Sequence, residues 1–244
     1  MPGSHTWTIN WRSASGAAVV TRAPAVALSA PASNLHVVVR VPDSRWVLFA
    51  FSPGVGPAIL YWGELLVFIA VAWLIGRSRL TPLPARDWLL LGIGLSTFSW
   101  SVFGLFVLFI ALFQWRARSG PPADSERFNL IQIGLGVLAA AAILAVVAAV
   151  PGGLLARPDM RIAGAADYGV LEWFVDQTRD ALPRPGVISV SLWWYKIAML
   201  AWALWLSFAL TRWLKWAWEV FARDGLWRSR PSAPPPAPSV PETR

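Results

Sequence analysis

Two charged side chains interrupt long apolar stretches of this chain and could carry chemistry. Glu64 is the only acid inside an apolar run, and Lys196 is the only lysine or arginine near the start of another. Charged groups within a membrane are costly and commonly mark a functional site. Both residues follow a cluster of aromatic residues, so we expect them to share one depth and hypothesise an ion pair. The alternative is that each side chain extends separately to the membrane interface.

Four hydroxyl residues lie close together in the middle of the apolar run 87–114, which arginines flank on both sides. In lipid, backbone groups that a turn sets free need side-chain partners. The cluster therefore predicts the tip of a re-entrant hairpin, with Gly92 and Gly94 allowing its first arm to approach a neighbouring helix. The alternative is one long tilted helix whose serines bond to their own backbone. The hydroxyl residues are Ser96, Thr97, Ser99 and Ser101.

Three acids recur every four residues in the stretch between the last two apolar runs. They are Glu172, Asp176 and Asp180. Paired carboxylates can hold a cation or act as acid and base. Apolar residues also recur at helical spacing over 168–182, which predicts an amphipathic helix with the acids on its solvated face. We favour the solvated face over a site.

Small residues at four-residue spacing recur in the third apolar run. Such spacing lets helices pack closely, although it does not select a partner. The residues concerned are Gly136, Ala140, Ala141 and Ala145.

The composition disfavours several kinds of site. The chain has 244 residues, no cysteine, and two histidines, His5 and His36. Disulfides, thiolate chemistry, haem ligation and an ordinary zinc site are therefore excluded or disfavoured, and we expect neither a metal nor a cofactor. Histidine clusters and intramembrane carboxylate pairs are also missing from the sequence. An enzyme is consequently the least favoured function class.

Long apolar runs predict an integral membrane protein. Several approach or exceed the roughly 18 residues that a helix needs to cross about 30 Å of hydrocarbon. Charged residues make up 14% of the chain and fall almost entirely between these runs. The net charge of +8 comes from residues beside span ends, where topology and anionic headgroups account for it. We therefore expect a lipid bilayer, and not nucleic acid, as the partner.

The predicted fold is mainly α-helical. It is a small bundle of three full transmembrane helices plus a re-entrant or fourth membrane helix, preceded by a short β-strand segment. The membrane domain covers 56–228, with a soluble connection at 151–189 and an interfacial helix at 212–223. The proline-rich residues 229–244 are predicted to form a disordered tail. The expected membrane segments are about 56–76, 87–115, 130–150 and 190–211.

Residues 1–55 are predicted to form short strands and do not resemble a signal peptide. Polar and apolar side chains alternate over 6–12, and the odd-numbered residues of 35–41 share one apolar face. Further strands are predicted at 18–21, 25–28 and 46–51. About 50 residues of strand bury little core alone, so we expect them to pack on the membrane helices, on a partner or on upstream sequence.

Counts of arginine and lysine near the span ends discriminate between two topologies. If residues 87–114 cross once, seven of these basic residues lie on each side. If they form a re-entrant hairpin, nine lie in the cytoplasm and five outside. Because basic residues concentrate in cytoplasmic loops, we favour the hairpin, with the N-terminus in the periplasm and the C-terminus in the cytoplasm.

Several segments resemble the C-terminal membrane region of large, uncharacterised proteobacterial envelope proteins. They are DSRWVLF, GPAILYWGELL, LTPLPARDWLLLGIGLS, RPDMRIAG and YKIAMLAWALWLSFALTRWLKWAWEVF. In those proteins a long, β-rich periplasmic part precedes the membrane helices. The resemblance implies an inner-membrane location, an outward-facing β segment, and Met1 as the start of a shortened form. It implies no activity and no catalytic residues.

The leading functional hypothesis is a non-enzymatic inner-membrane anchor or assembly subunit with a membrane or periplasmic protein partner. The alternative is a transporter or channel component that uses the re-entrant hairpin and Glu64.

Overall fold

The structure is a computed structural model that describes residues 6–10, 16, 18–78, 80–167 and 169–229. The chain divides into two compact units. The strand unit consists of Met1–Gly63 and Arg157–Ile197, and the helical unit of Glu64–Ala156 and Ala198–Arg244. The described residues form five helices and eight strands, so the fold is a mixture of helix and strand with more strand than the sequence predicted.

Antiparallel strands form three small sheets in the strand unit. One sheet has the order β1-β8-β3, a second has the order β2-β7-β6, and β4 pairs with β5. The strands are β1 (Val20–Arg22), β2 (Ala32–Arg40), β3 (Arg45–Phe51), β4 (Ala58–Ile59), β5 (Ile162–Ala163), β6 (Ala165–Asp167), β7 (Val170–Thr178) and β8 (Gly186–Ser191).

The two three-stranded sheets share one apolar core. Val47 of β3 and Val187 of β8 cluster with Leu171 and Trp173 of β7, and each of these four side chains is at most 2% exposed. Odd-numbered residues of β2 add to this cluster, as the alternation in the sequence predicts. The N-terminal strands therefore bury their apolar face against residues 170–191. The sequence predicts packing of 1–55 on the membrane helices, on a partner or on upstream sequence, and this later part of the same chain is not among those expectations.

The predicted helix at 168–182 is wrong. Residues 170–178 form β7, which pairs with β2 from Ala32↔Thr178 to Arg40↔Val170. The pattern was ambiguous because Leu171, Trp173 and Val175 also repeat every two residues, and aromatic and β-branched residues favour strands. Four of the eight strands, β5 to β8, thus begin within the predicted connection 151–189.

Two other strand predictions differ from the structure. Residues 6–10 carry no strand, and residues 11–12 lie outside the described residues. Residues 25–28 contribute only an isolated bridge between Ala27 and Ala181.

Three of the five helices are long and apolar enough to cross a membrane, namely α3, α4 and α5. α1 has 17 residues and is about 26 Å long at 1.5 Å per residue. The predicted run 87–115 is divided between α2 and α3. The helices are α1 (Tyr61–Arg77), α2 (Ala85–Leu95), α3 (Trp100–Ser119), α4 (Ser125–Leu155) and α5 (Leu192–Ala222).

Side-chain contacts show that consecutive helices alternate in direction. The end of α1 meets the start of α2, where a Cβ on Gly76 would contact Ala85. The end of α3 meets the start of α4, where Arg116 lies over Phe128. The end of α4 meets α5 near its start, where a Cβ on Gly153 would contact the side chain of Met199.

These directions define two ends of the helical unit. The tip end contains the α2–α3 turn, the start of α1, the end of α4 and the start of α5. The basic end contains the opposite helix ends, with the arginines in the last turns of α1 and α3. α2 and α3 therefore form a helical hairpin whose two outer ends both point toward the basic end. Trp88, near the start of α2, contacts Phe106, and α3 continues beyond this level to Ser119.

The predicted interfacial helix at 212–223 is not a separate element. α5 runs without a break to Ala222. The apolar side of this stretch packs on α3, with the ring centroids of Trp213 and Phe106 5.2 Å apart. Those of Phe221 and Phe113 are 6.4 Å apart. Of the apolar side chains expected to enter a membrane surface, Trp213 and Ala217 are thus covered by protein, whereas Trp218 is 61% exposed.

Candidate functional site: the helical hairpin

The turn between α2 and α3 falls within the predicted tip. Ser96 Oγ donates to the carbonyl of Ile93 at 2.7 Å, and Thr97 Oγ1 donates to that of Gly94 at 3.2 Å. Ser99 begins α3, because its Oγ accepts from the backbone N–H of Ser101 at 3.2 Å. The hydroxyl oxygens of Ser99 and Ser101 are 2.7 Å apart. The four hydroxyls therefore bond to backbone groups at the helix ends or to one another.

Glu64 connects the hairpin tip to α1. Its Oε1 accepts a hydrogen bond from Trp100 Nε1 at 2.7 Å. The Trp100 ring also stacks on Phe68 of α1, with centroids 3.7 Å apart and planes 19° apart. Hydrogen bonds to a charged acceptor are stronger than neutral ones, so this contact fixes the start of α3 against α1.

Lys196 belongs to the strand unit. Its Nζ lies 5.7 Å from the ring centroid of Trp193, in a cation–π arrangement. Glu64 belongs to the helical unit, and the ion pair between the two residues stays a prediction.

A second carboxylate, Asp87, is buried at the base of α2 and is 4% exposed. Its Oδ2 accepts from Arg212 Nη2 at 3.4 Å and from Trp213 Nε1 at 3.3 Å, both on α5. Its Oδ1 lies 3.7 Å from Arg86 Nε. A buried charge is tolerated when it is paired in this way. Asp87 therefore ties the first arm of the hairpin to α5.

Gly94 allows α2 and α5 to approach closely. A Cβ at this position would fall within the indole of Trp202. The same indole donates from Nε1 to the carbonyl of Leu90 at 2.9 Å. On the side facing α1, a Cβ on Gly92 would lie 3.2 Å from that of Ala72. The first arm thus contacts two helices through its glycines, as the sequence predicts.

A buried arginine joins α3 to the residues after α5. Arg116 is 3% exposed, and its Nη2 donates to Asp224 Oδ2 at 2.9 Å. Its guanidinium carbon is 5.5 Å from the ring centroid of Phe128, and that of Arg228 is 4.3 Å from the same ring. Two guanidinium groups therefore contact one aromatic ring at the basic end, a favourable cation–π arrangement.

Two amides of α4 bind the backbone at and after the end of α5. Gln132 Nε2 donates to the carbonyls of Phe221 at 2.9 Å and Gly225 at 3.2 Å. Asn129 bonds to both the carbonyl and the N–H of Arg228, at 2.9 and 3.0 Å. The last carbonyls of a helix have no partner within the helix, so these amides stabilise the end of α5.

The predicted stripe of small residues coincides only in part with the packed face of α4. A Cβ on Gly136 would lie 3.9 Å from Phe221. Ala140 and Ala141 are exposed, and Ala145 is half-buried. Packing through the two exposed alanines stays a prediction that would require another molecule.

The acidic residues Glu172 and Asp176 share the outer face of β7, because a spacing of four is a multiple of the strand period. Glu172 Oε2 lies 3.3 Å from His36 Nε2, and the His36 ring stacks on Phe174 with centroids 4.4 Å apart. Asp180 follows the strand. Within the described residues, no group of three or more histidines and acids is arranged to hold a metal.

Sequence reasoning used Asp87 and Arg116 only as markers of span ends. Arg116 lies on the helical stripe of Phe106, Phe109 and Phe113, all buried, so a helical projection could have identified it as buried. No local signal identifies Asp87, because its partners on α5 lie about 125 residues away.

Three candidate spans and an apolar exterior indicate a multi-pass membrane protein. Leu130 and Leu144 of α4 are each 68% exposed, and Phe208 of α5 is 73% exposed, which is the pattern that lipid-facing helices require. No known protein family, no curated protein and no solved structure matches the chain. Its function is therefore inferred from its own side chains.

Proposed function

We propose that the protein is a non-enzymatic anchor or assembly subunit of a bacterial inner membrane, and that it displays the strand unit to the periplasm. The observation that carries the proposal is the internal bonding of the hairpin. Glu64 binds Trp100 and Asp87 binds α5. The tip hydroxyls bond locally. Groups held in this way stabilise a fold, whereas a transport path places polar groups along a water-filled cavity.

The character of one cavity in the helical unit also supports an anchor. This cavity of about 230 Å³ lies between α3, α4 and α5. Its lining is mainly apolar, with Phe109 and Phe113 from α3, Gly136 from α4 and Trp218 from α5 among the residues concerned. Apart from the indole of Trp218, no lining side chain can form a hydrogen bond, which suits an acyl chain better than water or an ion.

The helix directions support the orientation. The basic end of the helical unit contains the ends of α1, α3 and α5 and the starts of α2 and α4. These directions are compatible with the hairpin topology, for which the sequence counts nine basic residues in the cytoplasm and five outside. Because basic residues concentrate on the cytoplasmic side, we assign the basic end to the cytoplasm.

The alternative is a transporter or channel component. It is favoured by one observation, the presence of Glu64 in an apolar helix beside the turn of a hairpin. In this function, Glu64 would exchange Trp100 for a transported cation or proton.

Reconstitution separates the two functions. The purified chain is placed in liposomes with a proton or potassium gradient, beside E64Q and the matched control E219Q, whose acid lies on α5 outside the hairpin. An anchor gives no flux above empty liposomes for any of the three proteins. Flux by the wild type that E64Q abolishes and E219Q retains would refute the anchor.

Isolation from native membranes tests the assembly role. The full chain, extracted in mild detergent, is expected to migrate on a native gel with a second protein in fixed stoichiometry. A chain that is recovered alone at every detergent concentration would contradict this role.

A further inference from the structure

β2 is an edge strand that directs backbone groups away from its sheet. Val41 N–H donates to the Gly169 carbonyl at 2.8 Å, and the antiparallel register continues without a shift to the start of β2. In an antiparallel pair, every second residue bonds to the neighbouring strand. The odd-numbered residues therefore bond to β7. His36, Val38 and Arg40 direct their N–H and C=O groups outward.

These outward groups have no hydrogen-bond partner in the part of the chain that the structure describes. Asn34, with φ of 55°, interrupts the extended backbone near the start of β2. The regular edge consequently runs from Leu35 to Arg40. An open edge of this length is a template for a further strand.

A groove runs along this edge. Its volume is about 470 Å³, and Val37–Arg40 form one wall. The opposite side is formed by residues 21–24 with Val26, Leu182 and Pro183. The groove thus offers backbone hydrogen bonds on one side and mainly apolar side chains, beside Thr21 and Arg22, on the other. An extended peptide with alternating apolar residues would match it.

Residues 6–10, with the sequence TWTIN, have the features of a strand that could pair with this open edge. Trp7 is 87% and Ile9 is 77% exposed. The two apolar residues alternate with Thr6, Thr8 and Asn10, so an extended segment presents them on one face. Within the described residues, the backbone of this segment makes no hydrogen bond. A strand-like segment and an open edge are therefore both unpaired within the described residues.

We propose that residues 6–10 of a second copy add as a strand to the β2 edge. Trp7 and Ile9 enter the groove, and the backbone of the added segment pairs with His36, Val38 and Arg40. Two copies exchange segments reciprocally, so a two-fold dimer satisfies both edges with one kind of contact. This inference does not depend on the anchor function.

Disulfide trapping of the full chain in membranes tests the proposal, since the chain has no native cysteine. T8C is co-expressed in turn with H36C, V38C and R40C, because Thr8 and the even-numbered residues share the outer face. After oxidation, at least one pair is expected to give a product of twice the 26.8 kDa monomer mass. T8C with D176C is the control, because Asp176 lies one strand away from the edge.

Three outcomes would overturn the proposal. The first is the absence of the dimer band for all three pairs. The second is an intramolecular disulfide, with a product of monomer mass, in a chain that carries both T8C and V38C. This result would place the segment on the edge of its own chain. The third is a cross-link to a different protein.

A proline at Val38 provides an independent test. Proline at an outward-facing position of an edge strand removes a donor from the edge and leaves the pairing with β7 intact. V38P is expected to reduce the trapped dimer about tenfold, the effect of losing one or two backbone hydrogen bonds and the close approach, whereas V38A retains it. If V38P does not fold, W7S/I9S removes the apolar contacts from the other side and is expected to give the same loss. Trapping unchanged in W7S/I9S would refute the proposal.

Discussion

Replacing Gly94 by alanine tests the packing of the hairpin on α5. The new Cβ would overlap the indole of Trp202, so the ring or α2 must move. Adding a methyl group to filled space costs about 1–3 kcal/mol. Loss of the 2.9 Å hydrogen bond from Trp202 to Leu90 costs about 1 kcal/mol more. The higher helix propensity of alanine offsets about 0.8–1 kcal/mol. The free energy of unfolding should therefore fall by about 2 kcal/mol.

The measurement is equilibrium unfolding in mixed micelles with increasing dodecyl sulfate, followed by far-UV circular dichroism. G104A is the matched control, because a Cβ on Gly104 of α3 meets nothing within 4 Å. Its free energy of unfolding should rise by up to about 1 kcal/mol. In a W202A background, where the space of the indole is empty, G94A should lower the free energy of unfolding far less. Equal effects of G94A and G104A would show that the hairpin is not packed on α5.

Three further predictions use the same unfolding measurement. D87N should lower the free energy of unfolding by about 1–3 kcal/mol, because two donors on α5 lose a charged acceptor. R86A should change it by less than about 0.5 kcal/mol, since this side chain is 77% exposed; equal effects of the two variants would contradict the role of Asp87. W100F keeps the aromatic stack and removes the donor to Glu64, so W100F and E64Q should be coupled by about 1 kcal/mol, and strict additivity would exclude the contact. If Glu64 pairs with Lys196, removing either charge should destabilise the protein more than removing both, whereas additive effects of E64Q and K196M would show that they act independently.

The helices were predictable because their signals are local. Continuous apolar runs identify membrane segments by length alone, and the hydroxyl cluster at 96–101 marks the break. The ends are local too: Ser99 and Asp124 each accept a backbone hydrogen bond at the start of a helix, which is the usual preference at that position.

Pairings between distant residues were not predictable. β2 pairs with β7, which lies about 130 residues later in the sequence. Asp87 accepts hydrogen bonds from two residues of α5. In 170–178, apolar residues satisfy both a helical and a strand period, and only the neighbouring strand decides between them. A sequence taken one window at a time contains no information about that neighbour, so the connection 151–189 was not recognised as part of the strand unit.

Cysteine accessibility most directly tests the proposed topology, in which the hairpin enters and leaves by the cytoplasmic face and Asp159 lies in the periplasm. R86C and R118C mark the two outer ends of the hairpin, and D159C marks the strand unit. Each single-cysteine chain is treated with a membrane-impermeant maleimide in intact spheroplasts and in inverted vesicles. We expect R86C and R118C to react only in inverted vesicles and D159C only in spheroplasts. Reaction of R86C and R118C from opposite sides would contradict the account, because α2 and α3 would then cross the membrane together as one span.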